Sequence, residues 1–224
     1  MKVIELNASV TDSNDRDADQ LRQDTKDQGT LIVNIMSSPG SGKTTLLSRV
    51  ITDMKEKISI GVMEADIASD VDAIKIQNFG AESIQAHTDG MCHMDAGMTR
   101  RALEAMDNNR LDLIFLENVG NLICPAEFDT GAGKDVMILS IPEGDDKPLK
   151  YPLMFSTSHA LVITKVDALP YFDFDMDKCV CRVKRLNPDI KIFPVSAKTG
   201  EGMEAFENWL FEAQAEWKNE SLIQ

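Results

Sequence analysis

Six predominantly apolar runs punctuate the sequence: LIVNIM (31–36), ISIGVM (58–63), LDLIFLE (111–117), DVMILSI (135–141), ALVITK (160–165) and IKIFPV (190–195). A strand with one wet face alternates apolar and polar residues, so runs apolar throughout need cover on both faces. The segments between them read as helices, over 44–57, 70–79, 93–108, 175–186 and 202–217. In the last of these Met203, Phe206, Leu210 and Ala213 share one face. Strand–helix alternation carries the chain back to begin each strand in the same direction. The expected fold class is therefore α/β, a mostly parallel sheet covered by helices on both faces. No Pro-, Gly- or Ser-rich linker interrupts 30–218, which is read as one domain, with 219–224 a C-terminal tail. Residues 1–29 carry seven acidic and four basic residues with little apolar periodicity. They read as a loosely attached N-terminal arm with at most a helical turn around 19–23.

The first run leads straight into Ser37-Ser38-Pro39-Gly40-Ser41-Gly42-Lys43-Thr44, and a predicted helix opens where that string ends. This is the strand–loop–helix setting of a phosphate-binding loop, and it places the chain among the P-loop NTPases. Gly40, Ser41 and Gly42 let backbone N–H groups approach phosphate oxygens, and the helix adds the positive end of its dipole. Lys43 reaches the β- and γ-phosphate oxygens, the Thr44 hydroxyl is suited to Mg²⁺, and Thr45 joins the nucleotide-binding set. Ser37 stands where the usual motif has its first glycine, so the loop must begin in a conformation that tolerates a Cβ.

Two acids are candidates for the metal and the attacking water. Glu117 ends an apolar run in Glu-Asn-Val-Gly, where a Walker B acid or a switch motif stands, and Gly120 is placed to donate an N–H to the γ-phosphate. Asp66, in MEADIASD, is the second. The catalytic set so read is Lys43, Asp66, Glu117 and Gly120, with Mg²⁺ at Thr44, Asp66 and Glu117. An acid at a strand's carboxyl end also serves as a helix cap, and that alternative stands beside the functional one.

Base choice is read from two later strand ends. Thr164-Lys165-Val166-Asp167 and Ser196-Ala197-Lys198 resemble the guanine-recognition motifs N-K-x-D and S-A-K. A carboxylate at Asp167 accepts from both guanine N1–H and the N2 amine, a pair adenine lacks. Thr164 replaces the usual Asn, which puts the side-chain tie between this loop and the phosphate loop in question.

Charge limits the partners. Lys and Arg number 23 against 37 Asp and Glu, a formal charge of −14, so the surface repels nucleic-acid phosphates and anionic lipid. No run approaches the ~20 apolar residues of a membrane span, and the opening MKVIELNASVTD has no signal-peptide core, so neither nucleic acid nor membrane is expected and the location is read as cytoplasmic. Four cysteines, unevenly spaced at 92, 124, 179 and 181, do not make a secreted disulfide framework. Cys92 and His93 stand at the start of a predicted helix and Cys124 follows the Glu117 strand. A thiolate and an imidazole suit Zn²⁺ or Ni²⁺, with a second subunit or water completing the shell. A buried cysteine and a capping histidine would look the same in sequence. Cys179, Cys181, His87 and His159 are read as structural.

SSPGSGKTTLL, EADIASDVDA, CHMDAGM, ENVGNLICPAEFD, EGDDKPLKYPLMF, TKVDALPYFDFD and SAKTGEGM together resemble the hydrogenase nickel incorporation GTPases, the HypB family, over 31–209. The resemblance implies a GTP-hydrolysing nickel metallochaperone that assists nickel insertion into nickel–iron hydrogenase. It implies GTP or GDP and Mg²⁺ as cofactors, Ni²⁺ or Zn²⁺ at Cys92, His93 and Cys124, and a homodimer promoted by GTP and metal. Other hydrogenase maturation factors and the hydrogenase large subunit are the implied partners. Many relatives carry a histidine-rich tract or an N-terminal Cys-x-x-Cys-Gly-Cys motif. Here there are three histidines and no cysteine before 92, so nickel storage is not expected. Two other readings stay open: a related accessory GTPase of the urease or cobalamin-mutase type, and a nucleotide-gated adaptor whose output is dimerisation.

Overall fold

The computed structural model describes residues 8–66, 79–88, 90–106 and 111–221. Seven strands form one sheet in which every pairing is parallel: β1 Leu31–Ser37, β2 Ile60–Asp66, β3 Glu82–His87, β4 Leu113–Glu117, β5 Lys134–Ser140, β6 Ala160–Thr164 and β7 Lys191–Pro194. Their spatial order is β3-β2-β4-β1-β5-β6-β7, with β1 in the middle and buried at all seven positions. The principal helices are α1 Ala8–Gln28, α2 Lys43–Met54, α3 Ala96–Ala105, α4 Met176–Leu186 and α5 Met203–Ser221.

Strand parity divides the core. Leu31, Val33 and Ile35 face one way and pack with Phe115, Val136 and Val162 under Leu47, Val50 and Ile51 of α2 and Phe206 and Leu210 of α5. Ile32 and Met36 face the other way. Ile32 joins Met63 and Leu116 beneath Met94 and Ala102, whereas Met36 joins Met137, Leu139 and Ile163 beneath Phe155, Cys179 and Val183. All six apolar runs are strands, and helices cover both faces. Among the described residues no helix is long and apolar enough to cross a membrane.

Several expectations need correction. ESIQAH forms the edge strand β3, half-buried and without an apolar run, so periodicity did not mark it. The helix read over 70–79 lies almost entirely outside the described residues. Residues 8–28 are not a loose arm but the 21-residue helix α1. Its stripe of Ala18, Leu21 and Thr25 is fully buried. Arg22 makes two hydrogen bonds of 2.8 Å to the Asp129 carboxylate, and Asp24 pairs with Arg100 of α3 at 2.7 Å. α5 runs on to Ser221, past the boundary read at 218. α3 begins at Ala96 and not at 93, because Asp95 caps it: its carboxylate accepts the Met98 N–H at 2.7 Å. Cys92, His93 and Met94 therefore lie in the loop before the helix.

Candidate functional site

The phosphate loop starts on β1, the most buried strand, and ends in the first turn of α2. Gly40 (φ 76°) and Gly42 (φ 98°) take left-handed conformations that a side chain would strain. Ser37 is more than tolerated at the position of the missing glycine. Its buried hydroxyl accepts from Lys43 Nζ at 2.9 Å and from Ser41 Oγ at 2.7 Å, and donates to the Ser38 carbonyl at 2.9 Å. The cation that would meet phosphate is thus held on the loop by neutral hydroxyls. A cavity of about 630 Å³ opens over the loop. Lys43, Thr44 and Thr45 line it from α2, Glu117 and Gly120 from the end of β4, and Lys165 from the end of β6.

The same cavity contains an acid that sequence reading passed over. Glu64 on β2 stands in register with Glu117 on β4, so both side chains leave the sheet on one face, and Glu64 is buried at 3% exposure. The signal was available: an acid placed inside an apolar strand is costly unless it has work to do. Asp66 ends β2, with its side chain outside what is described, and pairs in backbone register with His87. Thr44, Glu64 and Glu117 present hydroxyl and carboxylate oxygens to one cavity, a donor set that fits Mg²⁺.

The segment at the end of β6 is tied to the phosphate loop. Thr164 Oγ1 donates to the Ser41 carbonyl at 2.7 Å, so the tie placed in question by loss of the usual Asn is made by the hydroxyl. Lys165 Nζ donates to the Gly40 carbonyl at 2.8 Å. Among the described residues Lys165 is the one non-glycine with positive φ (60°), a strained backbone of the kind that persists where surroundings impose it. Ser196 Oγ donates to Asp167 Oδ1 at 2.7 Å, and Val166 N–H to the Val195 carbonyl at 3.2 Å, so the two motifs are one unit. Asp167 and Lys198 are exposed; Ala197 is half-buried.

Cys92 lies beside both His93 and Cys124, and Asn121, one residue beyond Gly120, bonds the backbone of Cys92 and of Cys124. His93 is 5% exposed, stacks on Phe128 at 3.7 Å between ring centroids, and has Nδ1 3.7 Å from Cys92 Sγ. Its Nε2 is buried with no hydrogen-bond partner among the described residues. Burial holds the His93 imidazole below its ordinary pKa, which favours the neutral form a metal requires. A hydrogen bond with the Cys92 thiol, together with burial, pushes the Cys124 thiol up. Cys92 is exposed and Cys124 half-buried. Among the described residues no three His, Cys, Asp or Glu form a ready-made metal cage, so these side chains are neighbours and not a closed set. Cys179 is fully buried in the core, with burial pushing its thiol up to about 12, as a structural cysteine should be.

A phosphate loop on the central strand of a parallel sheet, two acids on adjacent strands and the paired loops after β6 and β7 define a P-loop nucleotide-binding protein. Residues 31–194 match the CobW/HypB/UreG nucleotide-binding domain. The chain belongs to that family, among its HypB members. It is 44% identical over 209 residues to the hydrogenase maturation factor HypB of Rhizobium leguminosarum bv. viciae, covering 93% of this chain and 70% of that one. It is 36% identical over 219 residues to the hydrogenase/urease maturation factor HypB of Helicobacter hepaticus, covering 96% and 90%. The crystal structure of HypB from Helicobacter pylori in complex with nickel superposes with a TM-score of 0.86 at 36% identity, over 91% of this chain and 96% of that one.

Proposed function

We propose that the protein is a GTP-hydrolysing nickel metallochaperone that assists nickel insertion into nickel–iron hydrogenase. It works as a homodimer promoted by GTP and metal, with other maturation factors and the hydrogenase large subunit as partners. The observation that carries this reading is the sharing of one segment by two sites: residues 117–120 line the nucleotide cavity, and Asn118 and Asn121 of the same stretch bond the backbone beside Cys92, His93 and Cys124.

Asp167 reads guanine by accepting its N1–H and N2 amine, and Ser196, donating to Oδ1, fixes the carboxylate in that attitude. Lys43 leaves the Ser37 hydroxyl for the phosphate oxygens, a stronger charged acceptor. Thr44, Glu64 and Glu117 are the residues that would hold Mg²⁺, which supplies neutralisation of charge on the β- and γ-phosphates. Asp66 remains a candidate for the same metal. Gly120 donates its N–H to the γ-phosphate. Nickel or zinc is cargo: it binds the thiolates of Cys92 and Cys124 and the neutral imidazole of His93, and the remaining positions fall to water or the second subunit.

Nickel titration of the GDP form and of the form bound to a non-hydrolysable GTP analogue, with oligomer size followed in parallel, tests this. The unaltered protein should bind nickel more tightly in the analogue state and dimerise there, and Cys92→Ala or Cys124→Ala should lose the site. Dimerisation with no metal dependence would instead indicate an adaptor, and an unchanged site after Cys92→Ala would remove the chaperone reading.

A further inference from the structure

The segment Glu117-Asn118-Val119-Gly120-Asn121 grips the metal loop at two points, one on each side of His93. Asn118 Oδ1 accepts the Met94 N–H at 3.1 Å, and Asn121 Nδ2 donates to the Cys92 carbonyl. The first bond holds the peptide plane that follows His93, and the second holds the plane that precedes it. Both planes that orient the imidazole are therefore attached to this one segment. Asn121 also reaches the third ligand, since its Oδ1 accepts the Cys124 N–H at 3.0 Å and that of Ile123 at 3.1 Å.

The segment's other side rests on the phosphate loop. A Cβ on Gly120 would stand 3.1 Å from Pro39 Cγ and 3.3 Å from Pro39 N, so the two backbones are in contact because Gly120 has no side chain. Asn118 is 1% exposed, and its amide cannot turn without breaking other bonds. Nδ2 donates to Asn34 Oδ1 at 3.1 Å, and Asn34 Nδ2 donates to Asp135 Oδ1 at 2.9 Å, which anchors the amide across β1 to β5.

We infer that Asn118 and Asn121 are positioning residues that carry the nucleotide state to the metal site, moving His93 and Cys124 with Gly120. The inference rests on the nucleotide-gated metal binding proposed above and names the side chains that transmit it. A shift of Gly120 toward a γ-phosphate displaces Asn118 and Asn121 together. Each hydrogen bond runs from a short asparagine side chain to backbone beside a ligand, so one two-torsion side chain, held by further bonds of its own, is all that separates the segment from each ligand-bearing position.

The test is the ratio of nickel dissociation constants in the GDP state and in the non-hydrolysable GTP analogue state. It is measured for the unaltered protein, Asn121→Ala and Asn118→Ala, with thermal melting as the check on folding. Allosteric ratios of this kind are roughly 5–150-fold. In Asn121→Ala, whose site is half-buried and tolerant of truncation, the ratio should collapse to under about twofold while nickel still binds. A purely structural role would weaken nickel equally in both states and leave the ratio intact, which would overturn the inference. Asn118→Ala should lower the ratio as well. If the unaltered protein binds nickel with no nucleotide dependence, the coupling itself is wrong. If it binds no nickel at all, the metallochaperone reading fails independently of these two asparagines.

Discussion

Replacing Thr164 by valine exchanges one hydroxyl for a methyl at nearly constant volume, and the structure says what that hydroxyl does. It is the donor of a 2.7 Å bond to the Ser41 carbonyl, from a side chain 4% exposed, and it joins the carboxyl end of β6 to the phosphate loop. An ordinary intramolecular hydrogen bond is worth about 1 kcal/mol net, and facing a buried carbonyl with a methyl raises the cost to about 1–3 kcal/mol. Thr164→Val should therefore lower the unfolding free energy without nucleotide by that amount, and Thr164→Ser, which keeps the donor, should recover most of it. Nucleotide affinity follows from the same bond. The free variant relaxes by letting the two loops part, and binding must bring them together again, so GDP should weaken by a factor no larger than the whole bond allows, roughly tenfold per 1.4 kcal/mol. Urea unfolding with and without GDP measures both quantities, since bound ligand adds stability according to its dissociation constant. A Thr164→Val protein that matches the unaltered one within about 0.5 kcal/mol, below the cost of any buried unpaired carbonyl, would refute the account of this tie.

Two further outcomes follow from the fold. Leu21→Ala in α1 should cost about 2–5 kcal/mol in urea unfolding, because Leu21 is fully buried and packed against Gly131; a cost under about 0.5 kcal/mol would restore the picture of a loose arm. Burial pushes the Asp135 carboxyl from 3.8 up to about 6, so within that window the folded chain keeps a proton that the unfolded chain has released. Its contribution favours folding at low pH and is lost as pH rises through about 6, so Asp135→Asn should gain stability relative to the unaltered protein between pH 4 and 7. Urea midpoints across that range check the sign, and a constant or falling difference refutes it.

The sheet was legible because its signal is local: strands of five to seven residues in which apolar side chains stand at consecutive positions declare burial on both faces without reference to anything distant. β3 has a neighbour on one side only, and a strand so placed can be polar at most positions. α1 was misread for a different reason. Its buried stripe is three residues long, and its docking depends on Asp129, 107 positions after Arg22. Periodicity within residues 8–28 contains no information about that partner.

The candidate site divides along the same line. Gly40, Gly42, Lys43 and Thr44 fall within one short stretch of chain, as Asp167 and Ser196 do within their loops, and motifs of that kind can be read from order and spacing. Glu64 required strand register, since only the pairing of β2 with β4 sets it beside Glu117. Asn118 and Asn121 required more still. Both stand in the ENVGN string beside residues that were recognised, but an asparagine in a loop most often bonds its own backbone a residue or two away, as Asn118 does to Val119 and Asn121 to Ile123. What distinguishes them is a long-range bond from each, to Met94 and to Cys92, 24 and 29 positions earlier. Reading one element at a time finds residues whose motif is local and misses side chains whose partners lie far along the chain.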